Sequence, residues 1–430
     1  MPPISVSAHA AVIAALLVPL ALTAPVPASA APPAPPSPAT ETATAAAGAA
    51  AGAEEARLDR AVPREILRRA GFDTVAPRFG GALDGARSYR DAERAVARHG
   101  AALWERAVDR AQGRGPARGD LSRDDDRPLY WARLAMTREL RQWEPGFTVA
   151  PERRARLLDR LERSSRGQDS MGFPGARGRG DDRVKRVVMT GFDPFTLDRD
   201  IRISNPSGAT ALALDGTWIR TADGPARIET AVFPVRWQDF ADGSVERTLR
   251  ARLPEADLFT TVSQGRPGRF DIERTNGAWR GGFPDNENIS DTGTVPVSDP
   301  ATQPQWTSST LPHAAITAAD TGRFAVHDNT AVTEIPAGGT TPVNRPDGPT
   351  EGSTARSGGG GNYLSNEIAY RATLLRDRLG LTIPGGHVHT PVLEFGAGNT
   401  TEITDPAFLA NRRDIVAQVR EIIRVSAGQG

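Results

Sequence analysis

Two residues in the last quarter of the chain have types and surroundings suited to acyl transfer. Ser365 follows a glycine run, Gly358-Gly359-Gly360-Gly361, and stands at the start of a strongly helical stretch, SNEIAYRATLLRDRLG. Glycines let a backbone turn sharply and approach a ligand. The first turn of a helix presents N–H groups that lack intrahelical partners, a place where a developing oxyanion can be held. His389 lies 24 residues further on, in HVHTPVL. An imidazole there could take the serine proton during attack on a carbonyl and return it to the leaving amine. A carboxylate on the other ring nitrogen would hold the tautomer, and Glu273, in DIER, could supply it. Serine has almost no ionised fraction near neutral pH, so such a site depends on a close base.

Each residue also has an ordinary reading. Serine at a helix start is a good N-cap. Glu273 in DIER reads by default as a solvated acid, and His389 as a structural histidine. His387 lies two residues from His389 on one strand face, a spacing that hints at metal. However, no HExxH stretch exists and the chain has no cysteine, so no metal site is expected. The absence of cysteine also excludes disulfides and a thiol nucleophile.

The elements that must position these residues occupy the second half of the chain. VKRVVMT (184–190) predicts a buried strand, ATALALDG (209–216) a short helix, ARIETAVFPV (226–235) a strand, SVERTLRARL (244–253) a helix and ADLFTTVSQG (256–265) a strand entering a loop. The helix after Ser365, a strand through His389 and the amphipathic NRRDIVAQVREIIRV (411–425) follow. Alternating strands and helices predict an α/β architecture with a mostly parallel sheet, its functional residues in loops at strand ends. AAITAADTGRFAVHDNTAVTEI promises a helix and a strand. GTTPVNRPDGPTEGSTARSGGGG, rich in breakers, reads as disordered or irregular cover, with an active-site flap as the alternative.

Before this part, residues 54–165 read as a small, Arg-rich helical region. ARSYRDAERAVARHGAALWERAVDRAQ places Ala97, Ala101, Trp104 and Val108 on one stripe, PLYWARLAMTRELRQW is a second helix, and Pro151 opens a third. Its charge runs read as solvated helix faces. Residues 166–183, rich in Gly, Arg and Asp, form a linker, and the Ala/Pro-rich residues 31–53 form another. At the amino end, Ala10–Ala24 is apolar and Ala28-Ser29-Ala30 resembles a cleavage site, although no Arg or Lys precedes the run. Residues 1–30 are therefore expected to be an export signal, giving a secreted or extracytoplasmic protein with no membrane span in its mature form. The chain has 430 residues, 39% of them hydrophobic, and 52 basic residues balance 52 acidic ones. That balance argues against a nucleic-acid partner.

Seven short motifs occur in the order found in the pyroglutamyl peptidase I family, also called pyrrolidone-carboxylate peptidases. They are Thr190-Gly191-Phe192-Asp193-Pro194-Phe195; Asn205-Pro206-Ser207; Gly265-Arg266 with Ile272-Glu273-Arg274; Pro284-Asp285-Asn286; Ser309-Thr310-Leu311-Pro312; Tyr363-Leu364-Ser365-Asn366 with Tyr370; and Gly386-His387-Val388-His389-Thr390-Pro391. The resemblance covers about residues 184–425 and leaves out the helical region. It implies a three-layer α/β/α sandwich over 184–430. It also implies hydrolysis of the amide after an amino-terminal pyroglutamate, without a cofactor, and it leaves oligomerisation open. The family's triad is Cys/His/Glu. Here Ser365 takes the cysteine's place beside His389 and Glu273.

The resemblance further implies that Phe192 and Phe195 line a flat apolar pocket for the lactam ring, with Asn205 bracing the pocket loop. The family's oxyanion arginine follows its glutamate by ten residues. That offset falls on Phe283 in this chain, and Arg280 is the nearby candidate to replace it. The resulting expectation is an exported amidohydrolase. It would act on a pyroglutamyl or related lactam-capped peptide, or a small amide, through an acyl-enzyme on Ser365. The rival expectation is a catalytically silent extracellular protein that binds capped peptides or serves in interactions.

Overall fold

The computed structural model describes residues 52–115, 118–173 and 184–429. The expected export segment, nearly all of the Ala/Pro-rich spacer and the second half of the 166–183 boundary lie outside these residues.

Among the described residues six α-helices come first: α1 (Ala53–Ala56), α2 (Ala61–Ala70), α3 (Val75–Asp84), α4 (Tyr89–Ala111), α5 (Arg127–Gln142) and α6 (Pro151–Ser164). Ser88 caps α4 by accepting from Asp91 N, and Pro151 opens α6 at a position where a missing N–H costs nothing. The buried face of α4 runs through Ala92, Val96, Leu103, Trp104, Ala107 and Val108. Ala97 and Ala101 of the expected stripe are only half-buried. Leu103 and Ala107 draw the face round by about one residue.

The α/β layers follow: β1 (Lys185–Phe192), α7 (Pro206–Leu214), β2 (Thr217–Thr221), β3 (Gly224–Phe233), α8 (Trp237–Ala241), α9 (Ser244–Leu249), β4 (Leu258–Gln264) and β5 (Arg269–Glu273). Short strands β6 (Thr275–Gly277), β7 (Trp279–Gly281), β8 (Thr292–Thr294) and β9 (Trp306–Ser308) form two small hairpin-like pairs, β6 with β9 and β7 with β8. Then come α10 (His313–Ala318), β10 (Ala325–Asn329), β11 (Val332–Ile335), β12 (Val343–Arg345), β13 (Thr354–Ser357), α11 (Leu364–Arg378), β14 (Gly385–Thr390) and α12 (Pro406–Ala427). The main sheet runs β10-β5-β14-β4-β1-β3-β2. Four of its six neighbouring pairs are parallel; β14 with β5 and β3 with β2 are antiparallel.

Both faces of this sheet are covered, which is why its strands read as near-continuous apolar runs. Val187, Met189, Leu258 and Val262 point into one core with α7, α12 and the amino-terminal helices. Val188, Ala231, Phe233 and Phe259 point into the other with α8, α9 and α11. The result is the expected α/β/α sandwich. The amino-terminal helices share an apolar core with one of its faces.

They also reach it through buried charge. Arg133 on α5 donates to Asp193 Oδ2 (2.7 Å), as does Arg166 (2.8 Å). Glu162 on α6 accepts from Arg236 (2.6 Å) and Arg166. Arg166 O accepts from Val232 N (3.0 Å), so the stretch after α6 runs along the end of β3.

The breaker-rich stretch before Ser365, expected to be disordered or irregular, contains β12 and β13, which pair antiparallel on either side of β11. A single buried carboxylate organises it. Glu334 accepts from Thr350 N (2.6 Å), Thr350 Oγ1 (2.6 Å) and Arg345 Nε (2.8 Å). Side-chain bonds supply order that no hydrophobic alternation announces.

Candidate active site

The site is built across neighbouring strands of the main sheet, β10, β5, β14 and β4. In the β14–β5 pairing His387 stands opposite Glu273 and His389 opposite Asp271. On its other side His389 pairs in register with Ser263 of β4. This places the imidazole of His389 and the carboxylate of Glu273 together. His389 Nδ1 lies 2.7 Å from Glu273 Oε1, and the Glu273 side chain is 1% exposed. The second oxygen, Oε2, accepts from Asn329 Nδ2 (2.7 Å), which also donates to the carbonyl of Gly359 (3.2 Å). Asn329 ends β10 directly opposite Glu273 in the parallel β10–β5 register. Sequence reasoning missed it because only the sheet order brings it there.

His387 is engaged differently. Its Nδ1 lies 2.7 Å from Thr261 Oγ1 and its Nε2 2.8 Å from Ser263 Oγ. Burial, with a smaller contribution from His389, holds its pKa well below the ordinary histidine value. It is therefore a neutral ring with both nitrogens occupied, and its edge packs against His389 with centroids 4.6 Å apart.

Ser365 is the second residue of α11. The N-cap position belongs to Tyr363, without a side-chain capping bond, so the capping explanation for this serine does not hold. Its Oγ donates to the carbonyl of Gly360 (3.0 Å). No hydrogen bond joins it to His389 among the described residues. The Gly360 backbone is nonetheless against the histidine: a Cβ added there would stand 3.3 Å from His389 Cε1. Gly265, directly after β4, performs the same service, since an added Cβ would stand 2.7 Å from the Cβ of His389. Gly359 leaves similar room, with a hypothetical Cβ 2.2 Å from Glu273 Oε2. The glycines are thus the residues that let two backbone segments close over the His389–Glu273 pair.

A narrow slot of ≈ 30 Å³ opens beside Ser365, and Phe192, Phe195, Asn205, Val235 and Tyr363 are among its lining. Three residues expected to form a pocket are therefore brought together with Ser365. Phe192 stacks on Phe240 (centroids 6.1 Å, planes 12° apart). Tyr363 is wedged edge-on against Trp237 (5.1 Å) and Phe283 (5.3 Å) and donates to Pro284 O (3.1 Å). Asn205 caps α7 through Ser207 N (3.1 Å) and donates to Asp193 O (2.9 Å), tying the helix start to the Phe192–Phe195 loop.

Arg280 is not brought to the slot. Its fork grips Glu367 (2.7 and 2.6 Å), it is also paired with Asp291, and it lies over the Trp237 ring at 5.0 Å. A guanidinium so engaged serves α11 and the aromatic wall. Among the described residues no group of three or more His, Asp or Glu is arranged to hold a metal, and no helix is long and apolar enough to cross a membrane.

Comparison with known proteins gives two family-model matches. Residues 34–162 match the PA0049 N-terminal domain; residues 186–302 and 324–394 match the PA0049 C-terminal domain. The uncharacterized protein PA0049 of Pseudomonas aeruginosa is 34% identical over 487 aligned positions, covering 86% of this chain and 88% of that protein. Among solved structures, a mutant pyrrolidone carboxyl peptidase from Pyrococcus furiosus is similar at 22% identity and TM-score 0.39, covering 56% of this chain and 97% of that one. The pyrrolidone carboxyl peptidase from Thermococcus litoralis is similar at 19% identity and TM-score 0.38, covering 56% and 93%. By the two family models and the full-length relative, this chain belongs to the PA0049 family.

Proposed function

We propose that the protein is an exported amidohydrolase that cleaves an amino-terminal pyroglutamyl or related lactam-capped amide through an acyl-enzyme on Ser365. The observation that carries this reading is the buried His389–Glu273 contact of 2.7 Å, set beside a slot that Ser365 lines with Phe192 and Phe195. Glu273 would fix the Nδ1–H tautomer and leave Nε2 as the base. In the first step the Ser365 Oγ–carbonyl bond forms as His389 takes the hydroxyl proton. The C–N bond then breaks as His389 gives that proton to the amine. Water, deprotonated by the same nitrogen, attacks the ester, and the proton returns to Ser365. Backbone N–H groups at the start of α11 are the oxyanion donors in this scheme, because Arg280 is held by two carboxylates. Export rests on the sequence of residues 1–30 alone.

One observation favours the rival reading of a silent, peptide-binding protein. The Ser365 hydroxyl donates its hydrogen bond to Gly360 O and not to His389. Hydrolysis of a pyroglutamyl fluorogenic amide by the mature protein, beside Ser365→Ala and Ser365→Cys, separates the two. Activity that disappears in Ser365→Ala supports the serine peptidase. A silent parent with an active Ser365→Cys leaves the pocket and base standing but not the native nucleophile. Silence in all three moves the weight to binding.

A further inference from the structure

A second cavity, of ≈ 350 Å³, opens beside the His389–Glu273 pair and is lined by Arg266, Asn329, Asn344, Gly359 and Gly361 among others. Its volume is within the range of about 300–1,000 Å³ common for small-ligand sites. Two short backbone segments separate it from the apolar slot. In the first, Gln264 lines the slot, Arg266 lines the cavity, and Gly265 between them lies against the ring of His389. In the second, Gly359 and Gly361 line the cavity, and the carbonyl of Gly360 between them accepts a hydrogen bond from Ser365, which lines the slot. The reacting groups thus stand on the divide, with an apolar compartment on one side and a polar one on the other.

The cavity's charge is specific. Arg345 is held by Glu334 at 2.8 Å. Arg266 is exposed at the wall and has no carboxylate partner among the described residues, while its backbone is anchored by Val392 N donating to its carbonyl (3.1 Å). The β11–β12 segment contributes Asn344 and Thr333, neutral groups that offer hydrogen bonds without competing charge.

We infer that this cavity receives the leaving-group half of the substrate and that Arg266 binds a carboxylate on it, so that the preferred substrates are short capped peptides ending in a free acid close to the scissile amide. The inference rests on the acyl-transfer reading: the amine that receives the proton from His389 must leave on the side away from the lactam slot. A guanidinium suits a carboxylate because its planar fork donates two parallel hydrogen bonds.

The test compares pyroglutamyl-alanine with pyroglutamyl-alaninamide. The parent is expected to favour the acid by about tenfold or more in kcat/KM, a size consistent with one charge-assisted hydrogen-bonded contact. Arg266→Gln brings the ratio near one, and Arg266→Lys restores part of it. Equal rates on acid and amide, or a preference that survives Arg266→Gln, overturn the assignment while leaving the acyl-transfer reading intact. Calorimetric binding of the same two ligands to Ser365→Ala reads the subsite without turnover. Tighter, Arg266-dependent binding of the acid without hydrolysis by the parent upholds the subsite and overturns the catalytic reading. Binding of neither ligand overturns the subsite.

Discussion

The hydroxyl of Ser365 donates to the carbonyl of Gly360, 3.0 Å away and five residues back in the chain. That bond holds the proposed nucleophile against the same glycine at which an added Cβ would stand 3.3 Å from His389 Cε1. Ser365 and the His389–Glu273 pair are therefore close neighbours that share no hydrogen bond. In the proposed mechanism, a substrate in the slot turns the hydroxyl from the carbonyl to the imidazole before acyl transfer begins.

Removing that hydroxyl is the most direct perturbation. Ser365→Ala is expected to lower kcat/KM on a pyroglutamyl amide by at least about 10³-fold, because nucleophile and base act as a unit. Binding of an uncleavable capped peptide to the slot should change little, since Phe192, Phe195 and Tyr363 still line it in that variant. Steady-state kinetics with calorimetry on the same variant check both parts. A variant that keeps its turnover would remove Ser365 from the mechanism.

Glu273 and Asn329 should separate in size of effect. Glu273→Gln keeps the shape but loses the charge that fixes the His389 tautomer, and a fall of about 10²–10⁴ in kcat with nearly constant KM is expected. Asn329→Ala loses one hydrogen bond to Oε2 of that carboxylate, so a fall of about tenfold is expected. Equal losses in both variants would mean that Asn329 does more than orient Glu273.

Much of this site was legible in the chain. The order of motifs pointed to residues that the fold brings near one another, Glu273 to His389 and Phe192 to the slot beside Ser365, but not to the turn of the Ser365 hydroxyl toward Gly360 O, and the apolar runs of β1, β3 and β4 anticipated the buried sheet that carries them. The missing parts are those that depend on pairing between distant strands. Asn329 reaches Glu273 only because β10 lies beside β5. Order in the stretch before Ser365 depends on Glu334 bonding to Thr350 and Arg345, a fold-dependent contact with no periodic signature. Arg280 had the right type near the expected offset, but sequence proximity could not reveal Glu367 on its other side.

The amino-terminal helices are coupled to the pocket loop through Asp193, which follows Phe192 directly. Asp193→Asn would leave Arg133 and Arg166 without that buried countercharge. Breaking a buried pair in this way costs about 3–5 kcal/mol. A urea titration followed by far-UV dichroism should show a loss of that size in unfolding free energy, seen as a lower midpoint at unchanged m. A loss below about 1 kcal/mol would mean that water or another acid replaces the carboxylate.

Acid should loosen the same junction. Burial alone would raise the pKa of Glu162, but Arg166, Arg236 and Arg133 together hold it well below the usual 4.5. A carboxyl depressed in the folded state adds stability that is present above its unfolded pKa and lost as pH falls below it. The melting temperature is therefore expected to fall between about pH 5 and pH 3. Glu162→Gln should melt lower at neutral pH and lose part of that acid dependence, as differential scanning calorimetry at several pH values would reveal. An unchanged slope in Glu162→Gln would assign the acid sensitivity to another carboxylate.

The glycines give the sharpest geometric prediction. A methyl at position 265 would stand 2.7 Å from His389 Cβ, and one at 359 would stand 2.2 Å from Glu273 Oε2. Neither glycine has a positive φ, so backbone strain does not confuse the result. Gly265→Ala must push the imidazole itself, and Gly359→Ala must push the carboxylate away from Asn329. Displacements of about 1 Å at a reacting group cost on the order of 10²-fold in rate. Both variants should therefore lose about that much kcat while melting within a few degrees of the parent. Gly361→Ala serves as a contrast of another kind, because its φ of 83° makes an alanine strained although nothing stands within 4 Å of the added carbon. Its expected signature is lost stability with a smaller loss of rate. If Gly265→Ala retained full activity, the histidine would have room to move, and the tight packing of the divide would not be what positions the base.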